Sequence, residues 1–485
     1  MATTLSDIPK AFLRGIAHSR VALLGAMAVT IIFPFLVGAV LYDLIFHIPN
    51  PYFAGFIYMI LGPAFIGGLV LIFFGLFFAR GKEDVSLFTL AYFRDKLADE
   101  SSYDKIRKLV FLGVFLTCIN LFVFAVLGYS GYHYMESNAF CGEVCHVPMT
   151  PEYTAYQNSA HSRVNCVECH IGSGASWFVK SKISGARQLY AVVADTFSRP
   201  IETPVHGLRP ARDTCEQCHR PEKFHGDKLV IKDKYLEDEK NTHVQTVLLL
   251  KIGSAGDRAA GSHGIHWHVA PENEIVYTAA DWERNIIPEV SQKTANGKKI
   301  IYRSSEADEQ IAAATNLQER VMDCIDCHNR PSHIYLPAAP AIDSKFLTND
   351  IPTDLPYIKQ QAMKIVSVEY KTQDEARTAI ATSLTSFYKN NYADIYANNR
   401  PMVEKAIAGV QAAYVENVFP EMGIQWDTYS SNIGHSNELG CFRCHNDEHE
   451  SASGEVISMD CDTCHTILAE EEEDPEVLKM LMGEM

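Results

Sequence analysis

The sequence predicts a mainly α-helical chain: three N-terminal transmembrane helices, then a cysteine-rich domain outside the membrane with a small β-rich insertion. Three observations carry this prediction. Three long uncharged runs lie within the first 135 residues, and 12 of the 13 cysteines lie after residue 140. Charge divides at the same place. Residues 1–140 hold 10 Lys/Arg and 9 Asp/Glu, whereas residues 141–485 hold 32 and 50. A net charge of -17 excludes a nucleic-acid binder, which needs a positive footprint to displace counterions. With 11% aromatic residues, low-complexity disorder is excluded as well.

The uncharged runs are residues 21–42, 52–79 and 109–135. Each is long enough for the roughly 20 helical residues that cross a bilayer, and none alternates as barrel strands do. Helices are expected at about 21–43, 54–79 and 109–130, within a membrane domain of residues 1–135. His47-Ile-Pro49-Asn50-Pro51 suits a short turn between the first two. Lys10, Arg14 and Arg20 precede the first run, and seven Lys/Arg between Arg80 and Lys108 separate the second from the third. The turn near residue 50 has none. The positive-inside rule therefore places the N-terminus in the cytoplasm and everything beyond residue 130 outside. Two further runs weigh against a cleaved signal sequence. No run holds a histidine at its middle, so a b-type haem within the bilayer lacks ligands.

Five Cys-x-x-Cys-His motifs follow: Cys166/Cys169/His170, Cys215/Cys218/His219, Cys324/Cys327/His328, Cys441/Cys444/His445 and Cys461/Cys464/His465. A sixth, Cys141-Gly-Glu-Val-Cys145-His146, has one extra residue between its thiols. This spacing reads as c-type haem attachment, with two thioethers to the porphyrin and the adjacent histidine on the iron. Neither a zinc site nor a disulfide framework requires histidine after every second cysteine. Six haem c groups are expected, attached outside the cytoplasmic membrane as in bacteria. That agrees with the charge rule and implies a bacterial inner-membrane protein with a periplasmic haem domain.

For the sixth iron ligands the candidates are His161, His206, His268, His333, His435 and His449. In His263-Gly-Ile-His266-Trp267-His268 the last two histidines, read as a strand, share one face, and His268 is preferred. His225 and His243 are weaker candidates. At the first haem both His146 and Met149 are candidate ligands, and methionine would raise that iron's potential.

With Met149-Thr-Pro-Glu152-Tyr-Thr-Ala-Tyr156-Gln-Asn-Ser-Ala-His161 between the first two motifs, the chain resembles the NapC/NirT family of membrane-anchored quinol dehydrogenases over about residues 110–225. The resemblance implies Met149 on the first haem, His161 as the histidine ahead of the second, and quinol oxidation beside the first haem at the periplasmic face. It also implies charged quinol-site residues on the helix after the second haem, here Lys182 and Asp195. Short members have one span, a regular first motif and a methionine two positions after the histidine. This chain has three expected spans, an extended motif, a methionine three positions on, and some 260 further residues with three more motifs. In this it resembles the extended inner-membrane cytochromes of metal-respiring bacteria.

Beyond a triple-motif region at 136–225, strand-like patches Leu229–Ile231, Val247–Ile252, Glu274–Tyr277 and Lys299–Tyr302, with an Asn296-Gly297 hairpin signal, mark the β-rich insertion at 226–320. A second triple-motif region spans 321–469, with helical spacing over 355–418, and an acidic tail spans 470–485. The expected function is a quinol:cytochrome c-type oxidoreductase of anaerobic respiration. It would take electrons from the menaquinol or ubiquinol pool and pass them to a periplasmic cytochrome or reductase. Alternatives are a passive haem relay or anchor, and a terminal reductase of a small substrate. The latter is disfavoured because histidine is plentiful and no Cys-x-x-Cys-Lys motif occurs.

Overall fold

The computed structural model describes residues 16–17, 19–46, 60–77, 100–172, 175–205, 209–220, 226–253, 264–270, 273–293, 297–314, 316–435 and 439–483. The turn at 47–51, the basic residues between 80 and 99, and His206, His225 and His263 lie outside them. The chain is mostly helical with some strands and divides into two compact units, residues 1–145 and 146–485.

In the first unit, α1 is Arg20–Phe46, α2 is Gly62–Phe77 and α3 is Glu100–Met135. Among the described residues only α1 is long and apolar enough to cross a membrane, over Arg20–Gly38. The apolar stretches of the other two, Gly62–Leu76 and Phe111–Phe122, are shorter, so the expectation of three spans is met by one described helix. α1 and α2 pack antiparallel through small residues. A Cβ on Gly25 would lie 2.6 Å from the Gly68 carbonyl oxygen, and one on Gly75 would lie 2.7 Å from the Ala22 Cβ. Phe33 stacks on Phe65 at 5.8 Å. Removing Cβ atoms lets two backbones approach, which is how helices associate where apolar burial gives no drive. Gly75→Leu should therefore separate the pair at a cost of about 3 kcal/mol, the upper end of overpacking penalties. A drop in the unit's melting temperature in detergent, absent for Gly38→Leu where a Cβ meets open space, checks this.

The second unit opens with α4 (His146–Gln157) and α5 (Ala175–Val193). Six strands follow: β1 (Lys228–Tyr235), β2 (His243–Leu250), β3 (Glu274–Ala279), β4 (Glu289–Lys293), β5 (Lys299–Arg303) and β6 (Gln318–Val321). Five helices come next: α6 (Ala338–Leu347), α7 (Ile358–Val366), α8 (Gln373–Asn391), α9 (Ala393–Asn398) and α10 (Arg400–Val415). The chain ends with β7 (Glu450–Ser451), β8 (His465–Glu472) and α11 (Glu476–Met482).

Every strand-like patch read from sequence forms a strand, and β4 pairs antiparallel with β5 around Gly297, whose φ of 76° is open to glycine. The strands do not make one insertion. They make two sheets, ordered β1-β2-β8 and β6-β3-β4-β5-β7, and each takes its last strand from the C-terminal region. His465 lies opposite Leu250 on β2, and Glu450 lies opposite Arg303 on β5. The expected acidic tail also begins inside a strand: β8 carries Glu470 to Glu472, and Glu471 pairs with Lys234 of β1 at 2.6 Å. Sheet edges want backbone partners, and the segments flanking the last motifs supply them.

Helices α6 to α10 form a core of their own around Ile342, Ile358, Ile380, Leu384, Tyr388, Val410 and Tyr414. Thr372 caps α8 by accepting from the Glu375 N–H at 3.1 Å. A buried ion pair, Lys359–Asp343 at 2.5 Å, joins α7 to α6, and Asp343 also accepts from the Tyr235 N–H at 3.2 Å, which ties this bundle to β1.

Candidate haem-binding array

Each Cys-x-x-Cys-His motif folds around a single tight turn. The histidine N–H reaches back to the carbonyl of the first cysteine at 2.8 Å in His219 and His328 and at 3.0 Å in His445. Residues four apart on such a turn stand on one face, so the first thiol and the imidazole converge. Asp323 caps the Cys324–Cys327 turn by accepting from the Ile325 N–H, and Asp326 returns the contact to the Asp323 N–H at 2.7 Å.

The expected attachment thiols are not equally enclosed. Nine of the twelve motif cysteines are half-buried, whereas Cys169, Cys218 and Cys461 are exposed. Cys218 departs furthest from a uniform helical motif. The helix of its motif, Ala211–Cys215, stops at the first cysteine, and Cys218 lies in the turn beyond, its N–H donating to the Cys215 carbonyl at 3.2 Å. With no further turn of helix packed over it, its side chain stays at the surface. Cys218 is nonetheless near the second motif. The Cys169 thiol is pushed up chiefly by partial desolvation, then by Glu168 and Cys166, with Cys218 contributing in the same direction. A thiol that bonds the rim of a porphyrin must be open to it, so exposure at Cys169, Cys218 and Cys461 is compatible with their expected role.

Four motif histidines stand opposite a second histidine. Ring centroids are 6.2 Å apart for His170 and His333, 6.0 Å for His219 and His161, 5.7 Å for His445 and His268, and 6.0 Å for His465 and His435. The His445 and His268 Nε2 atoms are 3.5 Å apart. An iron bound by two imidazoles at about 2 Å each would need about 4 Å, so these pairs are near the spacing of two axial ligands. His328 is lowered first by burial and then by the charges of His266, His219 and His161.

The other ring nitrogen is held in a consistent way. Nδ1 contacts a backbone carbonyl oxygen in His161 (Pro331, 3.0 Å), His333 (Glu152, 3.0 Å), His266 (Ile252, 2.7 Å), His268 (Ile265, 2.8 Å) and His445 (Ser458, 2.8 Å). An Nδ1–H given to a carbonyl fixes the tautomer and leaves the Nε2 lone pair for a metal. Burial, the leading cause in each case, lowers the pKa of His170, His268, His328 and His435 and so favours the neutral, ligating form. Thiols, histidine pairs and tautomers together fit haem c.

Two sequence expectations about histidines need correction. Residues 265–269 form a 3-10 turn, not a strand. At three residues per turn, positions two apart point about 120° away from each other, so His266 and His268 do not share a face: His268 meets His445, and His266 lies within the electrostatic reach of His328. His449, expected as a ligand, is 1% exposed with Nδ1 on the Asn446 side-chain oxygen at 2.9 Å and Nε2 on the Ile287 carbonyl at 2.7 Å. Neither nitrogen is left for iron. His243 is likewise engaged, through Nε2 on Asp233 at 2.8 Å.

Arginines and carboxylates the motif pattern does not reveal brace neighbouring motifs. Arg209 donates to the Glu168 carbonyl of the second motif at 3.4 Å and to the Asp213 carbonyl just ahead of the third at 3.2 Å. Cys215 of the third motif hydrogen-bonds Cys324 of the fourth, which pushes the Cys215 thiol up and the Cys324 thiol down to about 7. Arg443, inside the fifth motif, donates to the Asp326 carbonyl of the fourth and to the Arg284 carbonyl, each at 2.7 Å. The Asp326 side chain, 2% exposed, accepts from the Tyr277 hydroxyl at 2.6 Å and from Arg284 at 3.1 Å and pairs with Arg320 at 3.5 Å. Glu152 of α4 pairs with Arg330 at 3.2 Å and touches His333 Nδ1 at 3.1 Å, while Arg330 lies 3.9 Å over the Tyr429 ring. The only sequence signal for these was a charged residue between the two cysteines of the fourth and fifth motifs.

Met149 sits half-buried on α4, a few residues after Cys145-His146. Lys182 lies in α5, and Asp195 lies past its end with φ 52°, paired with Arg199 at 2.5 Å. Eleven helical residues separate Lys182 from the end of α5, about 17 Å of rise. The structure does not bring these two expected quinol-site residues to one point.

Thioether-ready turns paired with second histidines define a multihaem c-type cytochrome, an electron-transport protein. The N-terminal-region model of the NapC/NirT cytochrome c family matches residues 103–206. The cytochrome c-type protein ImcH of Geobacter sulfurreducens is 36% identical over 469 residues, 95% of this chain and 90% of ImcH. The cytochrome c-type protein NrfH of Wolinella succinogenes is 33% identical over 113 residues, 22% of this chain and 62% of NrfH. The chain belongs to the NapC/NirT cytochrome c family. No solved structure matches it.

Proposed function

We propose that this cytochrome is an inner-membrane quinol dehydrogenase, cytoplasmic at its N-terminus, that passes electrons through six haem c groups to a periplasmic acceptor. The observation that carries this reading is continuity: apolar α3 ends at Met135, and Cys141 of the first motif follows six residues on, its N–H bonded to the Ser137 carbonyl at 3.2 Å. A first haem held there meets a lipid-soluble donor at the bilayer surface.

Haem supplies one-electron acceptance at each site; the chain does the rest. His170/His333, His219/His161, His328/His266, His445/His268 and His465/His435 would hold five irons, and His146 or Met149 the first, with both cysteines of each motif in thioethers. Bracing by Arg209, by the Cys215–Cys324 contact and by Arg443 favours passage from the second haem to the fifth in chain order. Quinol releases two protons with its two electrons, so a base must stand by. Asp195, exposed just past the end of α5, is the better candidate of the two expected carriers, because a carboxylate can accept a proton directly whereas the Lys182 ammonium must first lose one. With no histidine pair inside a span, protons and electrons leave on one side and no charge crosses the membrane.

The purified holoprotein should be reduced by a menaquinol analogue, followed in its optical spectrum. Asp195→Asn should slow this by about 100-fold, the lower range for a general base. Met149→Ala should change the potential of one haem only. A protein that stays oxidised with every quinol supplied would instead be a relay fed by another complex.

A further inference from the structure

Helix α5 does not fit the charge of the unit it belongs to. Residues 175–193 contain Lys180, Lys182 and Arg187 and no carboxylate, in a chain whose net charge is -17. They also expose a row of apolar side chains: Val179 at 53%, Ile183 at 67%, Tyr190 at 70% and Val193 at 73%, with exposed Ala186 between. At 3.6 residues per turn these five fall within about 40° of one direction, and the row is about 21 Å long. Lys182 falls on one side of it and Lys180 and Arg187 on the other, while Ser181, Ser184 and Gln188 fall opposite. Trp177, under Lys180 Nζ at 4.7 Å, falls on the opposite face as well. A row of this length exceeds what one porphyrin edge covers.

We propose that α5 lies in the plane of an anionic lipid surface, its Val179–Val193 row sunk among the acyl chains and its basic residues on the headgroups. Apolar side chains on one face, with Tyr190 among them and Lys and Arg flanking them, are what an interfacial helix requires. The three basic residues, with no carboxylate on the helix, match anionic headgroups, and a chain carrying α1, long and apolar enough to cross a bilayer, meets such a surface. The inference goes beyond quinol oxidation and does not depend on it.

The test uses the full-length holoprotein in phosphatidylethanolamine/phosphatidylglycerol vesicles containing a phospholipid with a photoreactive diazirine in its acyl chain. After illumination, mass spectrometry should find lipid adducts on Val179, Ile183, Tyr190 or Val193 as well as in α1. Exposed Ile467 and Leu468 of β8 should carry none. Lys180→Glu with Arg187→Glu should cut the α5 adducts roughly tenfold and leave those in α1 unchanged. Adducts confined to residues 1–135, or equal labelling of α5 and β8, would overturn the proposal. Quinol reduction measured in the same vesicles reads the functional proposal separately, since either can fail alone.

Discussion

His268→Ala will convert one of the low-spin haems to high spin and shift its potential by on the order of 100 mV, because axial ligation sets haem potential across several hundred millivolts. The same holds for His161, His266, His333 and His435. The argument is geometric. Each of His161, His268, His333 and His435 stands about 6 Å, centroid to centroid, from a motif histidine. His161, His266, His268 and His333 also hold a carbonyl oxygen at Nδ1, which aims Nε2 outward. His449→Ala gives the contrary expectation, an unchanged haem spectrum with some loss of stability, since both of its nitrogens are spent on protein oxygens. Electron paramagnetic resonance of the oxidised variants reads both outcomes. A high-spin signal from His449→Ala, or none from His266→Ala, would refute the pairing.

The second large effect concerns Asp326. Its carboxylate is buried among Tyr277, Arg284 and Arg320, and its carbonyl receives Arg443 from the next motif. Asp326→Ala leaves buried Arg284 and partly buried Arg320 without their shared anion. Losing one partner of a buried pair costs about 3–5 kcal/mol. The phenol of Tyr277, held above its ordinary pKa by burial and by this carboxylate, would lose its acceptor too. The expected result is a melting temperature lower by about 5 °C, with the fourth and fifth haems incorporated poorly. Asp326→Asn keeps the shape and one acceptor oxygen and should recover part of the stability. Equal stability of Asp326→Ala and the parent protein, by thermal melts followed at the haem band, would remove Asp326 from its bracing role.

Chemistry written in adjacent residues was legible before any coordinates. Covalent attachment uses two thiols and a histidine within five positions, so the turn that joins them is local and spacing alone reveals it. How far each thiol is enclosed was not legible: Cys215 and Cys218 share one motif, yet the first is half-buried against Cys324 and the second is exposed. The strand-like patches at 229, 247, 274 and 299 were legible because alternation, too, is a local property. His333 and His435, close in sequence to a motif, were legible as candidates but not as partners.

What the sequence by itself determined is the cofactor class, the acidic body and the apolar head, each a matter of composition or of contacts within one turn. What only the tertiary structure decided is who meets whom across a long loop. His333 faces His170 from 163 residues away in sequence, β8 closes a sheet begun at β1, and Asp326 and Arg443 meet from different motifs. The 3-10 turn at 265–269 shows the limit most plainly. Alternation suits a strand, but the chain there turns to give two histidines two directions, and which backbone it takes is settled by the partners packed against it rather than by the letters themselves.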